Sequence, residues 1–263
     1  MKKYKTILLA LMLFCTTACR EKTILPTIPT YTIAFSHVVD ERSLALDSVL
    51  YTNIVGNKYY INELKYFISD VCFYKNGEEY LIPYIHYVDV FYPSTLYWTI
   101  NQDFNVDLED SFYDSIAFTF GINDKKNTTN RFVNFPENAM SWPTILGGGY
   151  HYMMLNGKYI ENDTLKAMNI HLGKGQIYLG NSLSTDSIVG FIDNSFRITL
   201  SLSKVLFTNQ QDTLFLEMNI NNWFAYPFNF DINYFGSHIM QNQVAMQMLK
   251  ENGQKNVFSV KND

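Results

Sequence analysis

Apolar side chains recur at every second position in segment after segment of this chain. Tyr31, Ile33 and Phe35 share one face of a run that alternates with Thr32 and Ala34. Ile116, Phe118 and Phe120 do the same. Residues 196–202 and 213–220 repeat the pattern. A period of two is the spacing of a half-buried strand, and it conflicts with the helical period. The aromatic content of 16%, with 19 Tyr and 20 Phe, suits pleated surfaces. Residues 66–74 form a longer apolar run that stops at Lys75-Asn76-Gly77, and Asn-Gly is a hairpin signal. Strands joined by turns predict an all-β fold, an antiparallel β-sandwich. One helix is expected near the C-terminus, over residues 237–249, with Ser237 as N-cap and Gly253 shortly after.

The first residues read as a targeting signal. Lys2, Lys3 and Lys5 precede an apolar stretch from Ile7 to Phe14, too short for a bilayer, which takes about 20 residues. Thr16-Thr17-Ala18-Cys19 resembles a bacterial lipobox, with Thr16 where leucine is usual. That resemblance implies cleavage after residue 18 and a diacylglycerol on Cys19; a plain secretory signal is the alternative. Residues 19–30 hold Pro26 and Pro29 and form a tether, and residues 31–263 form one domain. A lipid at one end anchors a domain to a membrane without burying it. Among the cysteines only Cys72 is left in the mature domain, so no disulfide is available and a small buried hydrophobe is expected there. Cleavage removes three lysines and no acid, taking the formal charge from −5 to −8. An acidic chain with no basic patch argues against nucleic acid.

No catalytic signature emerges. The chain has no H-e-x-x-H pair, no G-x-S-x-G and no phosphate loop. The acidic stretch 103–114 lacks the glycine of a calcium-binding EF-hand loop and reads as a solvated face. The chain is therefore expected not to be an enzyme. Five histidines, His37, His86, His151, His171 and His238, are the residues with metal chemistry. His171 falls opposite Met168, Ile170 and Leu172, so with those in the core it points to solvent or a polar site. His37 shares a face with Phe35, and His238 and Met240 flank Ile239. For each histidine alone a hydrogen-bonded structural role competes, and for His86 that role is preferred. The segment from Met140 to His151 gathers a thioether, the Trp142 indole, three consecutive glycines and an imidazole; soft sulfur and imidazole suit copper.

Several blocks, in order, resemble the MbnP-like family of copper-binding proteins associated with methanobactin, whose relatives include Bacteroidetes lipoproteins. They are Ile33-Ala34-Phe35-Ser36-His37, Leu64-Lys65-Tyr66-Phe67-Ile68-Ser69-Asp70-Val71, Phe120-Gly121-Ile122-Asn123, Met140-Ser141-Trp142 with Gly149-Tyr150, Ile170-His171-Leu172-Gly173, and Ile239-Met240 with Val257-Phe258. The resemblance implies an extracytoplasmic, outer-membrane or periplasmic β protein holding one copper ion on histidines. On this reading His37, His171 and His238 are the first candidate ligands, with His151 and Met240 behind them. It also implies a tryptophan oxidised to kynurenine by a dihaem, cytochrome-c-peroxidase-like partner. Trp142 is the candidate; Thr144 stands where the family segment has its second tryptophan.

Two other readings remain open. Asp followed by Ser or Thr and an apolar residue places Ser48, Ser115, Thr164, Ser187 and Thr213 in contexts that resemble Bacteroidetes O-glycosylation acceptors, while the same pairs also cap turns. An envelope sandwich without metal could instead bind glycan or protein, with Tyr97-Trp98 and Trp223-Phe224 as stacking platforms or as core.

Overall fold

The computed structural model describes residues 30–101, 113–180, 183–202 and 213–261. The signal sequence, Cys19, nearly all of the tether and most of the acidic stretch 103–114 lie outside them. In chain order the strands are β1 (Thr30–Val39), β2 (Arg42–Ser43), β3 (Tyr51–Thr52), β4 (Lys58–Lys75), β5 (Glu78–Asp89), β6 (Tyr97–Asn101) and β7 (Ser115–Phe120). They continue with β8 (Met153–Glu161), β9 (Thr164–Leu172), β10 (Gly175–Tyr178), β11 (Ile188–Ile192), β12 (Phe196–Ser201), β13 (Thr213–Asn219) and β14 (Phe258–Lys261). Two helices, α1 (Ile232–Phe235) and α2 (Gln243–Gly253), precede β14.

The strands build the expected β-sandwich. A five-stranded sheet runs β14-β13-β1-β2 with β6 also on β1, and a seven-stranded sheet runs β12-β7-β4-β8-β9 with β3 and β5 also on β4. Pairing is antiparallel except between β1 and β13, which run parallel from Thr32↔Thr213 to Val38↔Asn219. Parallel neighbours need a crossover, and here most of the chain lies between them. Ring contacts join the two sheets: Phe35 meets Tyr66 at 6.3 Å, and Phe258 meets Phe118 at 5.2 Å and Phe120 at 5.8 Å.

Strand β4 spans the sheet. Lys65 pairs with Asp89 on one side and Met154 on the other. From Tyr66 to Phe73 nearly every residue is fully buried, because the strand is covered on both faces. Tyr66 and Ile68 face the other sheet. Phe67 faces outward and is roofed by Phe132, stacked at 5.5 Å, and by Tyr150 at 6.1 Å. That is why residues 66–74 read as continuous apolar sequence instead of alternation. The run closes in the anticipated hairpin, with Asn76 at φ 53° and Gly77 at φ 84°, both on the positive side that a type I′ turn requires.

The C-terminal helix starts later than the periodicity suggests. Asn242, not Ser237, is its N-cap, accepting from the Ala245 amide at 3.0 Å. Val244 is 68% exposed, and the buried stripe is Ala245, Met246, Leu249 and Asn252. Residues 237–241 form turns that insert Ile239 into the core. Cys72 is free and buried, as expected. The Asp-Ser/Thr pairs among the described residues sit at turn or strand edges, and Thr213 opens β13. Asp47 and Asp163 adopt positive φ, and the Asp114 carboxylate accepts from the Asn76 amide. Ser48 and Thr164 are exposed, whereas Ser115, Ser187 and Thr213 are half-buried.

Candidate metal centre

The glycine loop is closed by a short antiparallel clasp. The Trp142 amide donates to the Gly149 carbonyl at 2.8 Å and the His151 amide to the Met140 carbonyl at 2.7 Å. Between them the chain makes one 3-10 turn (Thr144–Leu146), and Gly147, Gly148 and Gly149 follow at φ 115°, 64° and 81°. At Gly149 a Cβ would lie 2.5 Å from Asn127 Oδ1. That oxygen accepts from the Tyr150 amide, so the glycine lets the loop press onto the side chain that holds it. The clasp delivers two buried groups. Trp142 donates from its indole nitrogen to the Leu146 carbonyl at 3.1 Å. Its ring packs where a Cβ on Gly173 would be, 2.6 Å away. His151 follows the clasp, with its ring edge-to-face against Trp142 at 4.7 Å.

The second imidazole comes from β9. Pairing of Met154 with His171, and of Lys65 with Met154, puts all three on the outer face of the seven-stranded sheet. The His171 ring stands edge-to-face against His151, 4.9 Å between centres at 85°. Each ring has one nitrogen engaged and the other bare. His151 Nδ1 lies 2.9 Å from the Met140 carbonyl, and its Nε2 has no partner. A carbonyl only accepts, so Nδ1 carries the proton and Nε2 an unshared lone pair. His171 Nε2 lies 2.7 Å from Asn156 Oδ1, and its buried Nδ1 has no partner. Burial is the main cause that holds both rings neutral. It lowers the His151 pKa to about 4, with His171 adding to the effect, and lowers that of His171 against the opposing charge of Glu63. Two neutral imidazoles in ring contact, each with a buried unshared lone pair, are the kind of donor that copper or zinc takes.

The other candidates are placed differently. His37 is buried with Nε2 2.9 Å from the Tyr66 hydroxyl, and burial lowers its pKa to about 4. Tyr66 pairs with Met153, whose partner is Leu172, so His37 approaches the inner face of the sheet while His171 lies on the outer one. One ion cannot touch both through the sheet. His238 is exposed in the turns before α2, and Met240 is half-buried against the core. His86 takes the structural role expected of it: it is stacked between Phe35 at 5.5 Å and Trp98 at 5.0 Å, with Nε2 on the Thr95 carbonyl. Among the described residues no three His, Cys, Asp or Glu side chains gather as a metal site. The proposed platforms are mostly core: Trp98, Trp223 and Phe224 are buried, and only Tyr97 is exposed.

Sequence reading missed Asn156 and Glu63. A signal existed in the turn Glu161-Asn162-Asp163-Thr164, which fixes the β8–β9 register with Asn162 and Asp163 at φ 49° and 59°. Counting back from it sets Met154 opposite His171 and Asn156 diagonally beside it.

Comparison with known proteins agrees with this architecture. Nothing among curated proteins matches. A solved structure, MbnP from Methylosinus trichosporium, is similar in fold, with a TM-score of 0.50 and 12% identity over 76% of this chain and 79% of that one. The family model for MbnP matches residues 29–245, most of the chain. The chain belongs to the MbnP family.

Proposed function

We propose that this protein binds one copper ion, as Cu(I), through His151 Nε2 and His171 Nδ1. The observation that carries the reading is the pair of buried, unpartnered imidazole nitrogens on rings in contact. A buried polar atom without a partner is costly, and a ligand is one way to satisfy it. Two nitrogen donors suit Cu(I), which accepts low coordination numbers, better than Zn(II), which takes four ligands in structural sites. Met154, cross-strand from His171 and half-buried, supplies a thioether on the same face, a donor that favours Cu(I). The copper is cargo here, with no turnover, so the chain acts as a binder and not an enzyme.

The lipobox-like Thr16-Thr17-Ala18-Cys19 supports anchoring of the mature domain to an envelope membrane through a lipid on Cys19. No helix among the described residues is long and apolar enough to cross a membrane. Trp142 is the tryptophan in ring contact with a site histidine. On the family reading it is the residue that a dihaem partner would oxidise.

Titration of Cu(I) into the mature protein against a competing chelator tests the proposal. Tight one-to-one binding is expected, lost in His151→Ala and in His171→Ala and kept in His37→Gln. Binding that survives the first two substitutions, or wild-type protein that binds no copper, overturns it.

A further inference from the structure

A chain of donors and acceptors runs from His171 to the edge of the site. Asn156 Oδ1 faces His171 Nε2 at 2.7 Å, and Asn156 Nδ2 donates to Glu63 Oε2 at 2.6 Å. Glu63 is in turn ion-paired with Lys65. An amide can present either its oxygen or its nitrogen to a neighbour, so the orientation of Asn156 needs a cause. The cause is Glu63. An ionised carboxylate only accepts, so the Asn156 amide must turn its NH2 toward it and its oxygen toward the imidazole. An oxygen facing Nε2 requires a proton there, and in a neutral ring the lone pair is then left on Nδ1. Lys65, which only donates, keeps Glu63 ionised and aimed: the Lys65 contact and the Asn156 bond both hold the carboxyl below its ordinary pKa against the effect of burial.

We propose that Glu63 and Asn156 are positioning residues that fix His171 in its Nε2–H tautomer and so present Nδ1 to the ligand. The inference builds on the copper reading but concerns the metal-free protein first. His151 reaches the complementary arrangement by a shorter route, since the Met140 carbonyl fixes its tautomer directly. The two rings thereby use different nitrogens, Nε2 on one and Nδ1 on the other. Strand β8 places Asn156 beside His171, and β4 pairs Glu63 with Asn156, so the relay lies along one face of the sheet. Its far end is accessible: the Glu63 side chain is 29% exposed. A change there tests the relay without emptying the core.

The decisive variant is Glu63→Gln, which preserves shape but offers both a donor and an acceptor. The Asn156 amide is then free to flip and present NH2 to His171. Long-range 1H–15N NMR on metal-free, histidine-labelled mature protein reads the tautomer of His171 directly. In the wild type one tautomer is expected, with the proton on Nε2; in Glu63→Gln the Nδ1–H form becomes populated. Chelator competition should show Cu(I) affinity falling about tenfold or more, the range seen when such supporting groups are lost. Asn156→Leu should give the same loss. A wild-type His171 protonated on Nδ1, a tautomer unmoved by Glu63→Gln, or a shifted tautomer with unchanged Cu(I) affinity would each overturn the proposal. Wild-type protein with the Nε2–H tautomer and no copper binding would support the positioning and remove the copper function instead.

Discussion

His37 offers a quantitative test of how the two sheets are held. The residue is 8% exposed, it hydrogen-bonds the Tyr66 hydroxyl, and burial lowers its pKa from 6.5 to about 4. In the unfolded chain the ring titrates near its ordinary value, so between these two pKa values the unfolded state holds the extra proton. Stability therefore falls as pH drops through this window, with no contribution above it and no further loss below it. Each pH unit is worth about 1.4 kcal/mol, so the whole window amounts to roughly 3 kcal/mol, and about 2 kcal/mol is lost by roughly pH 5. That is a large part of the stability of an ordinary domain, about 5–15 kcal/mol. The assay is urea denaturation of wild type and His37→Gln from neutral to acidic pH. The variant is expected to be less stable at neutral pH, because the contact with Tyr66 is disturbed. The gap should then shrink by about 2 kcal/mol near pH 5, since the variant has one fewer buried imidazole to protonate. Curves that stay parallel with pH, or an NMR titration of His37 near its ordinary value, would refute the reasoning.

Two further substitutions probe the supports of the site and of the C-terminal helix. Gly173→Ala places a Cβ 2.6 Å from the Trp142 ring. It should cost about 1–3 kcal/mol in thermal unfolding and shift the near-ultraviolet signal of the indole, whereas an unchanged melting curve would mean the indole has room to move. Asn252 is fully buried and bonds three backbone groups, donating to the Trp223 and Phe228 carbonyls and accepting from the Phe228 amide. Asn252→Ala should therefore cost about 3 kcal/mol by denaturant unfolding, and a loss below about 1 kcal/mol would show that water replaces the side chain.

The alternation of Ile33 with Phe35 and of Phe118 with Phe120 was enough to read the sandwich, because the period of two reports burial on one face. Residues 66–74 were equally informative once their two covered faces are known. The helix boundary was less legible. Ser237 and Asn242 are both good caps, and only the depth at which Ile239 enters the core selects Asn242. The parallel pairing of β1 with β13 left no local trace, since strands so far apart in sequence carry no turn to announce their direction.

The site was half legible for a related reason. Alternation put His37 on the face of Phe35 and His171 on the face opposite Leu172, but it did not say how those faces sit relative to one another in the fold. A sheet separates them. His37 reaches the inner face of β4 at Tyr66, and His171 stands on the outer face with Met154 and Lys65. Inside, a hydroxyl meets the imidazole and completes its bonding. Outside, a glycine-bearing clasp brings in a second imidazole and leaves both rings one bond short. In this chain, whether a histidine keeps a free nitrogen therefore depends on which face of the sheet it reaches and on what the loop above it leaves unsatisfied. The three glycines matter because they let that loop descend onto Asn127 and carry Trp142 and His151 down to the sheet. With no side chain to offer as a donor, they serve to position the two imidazoles.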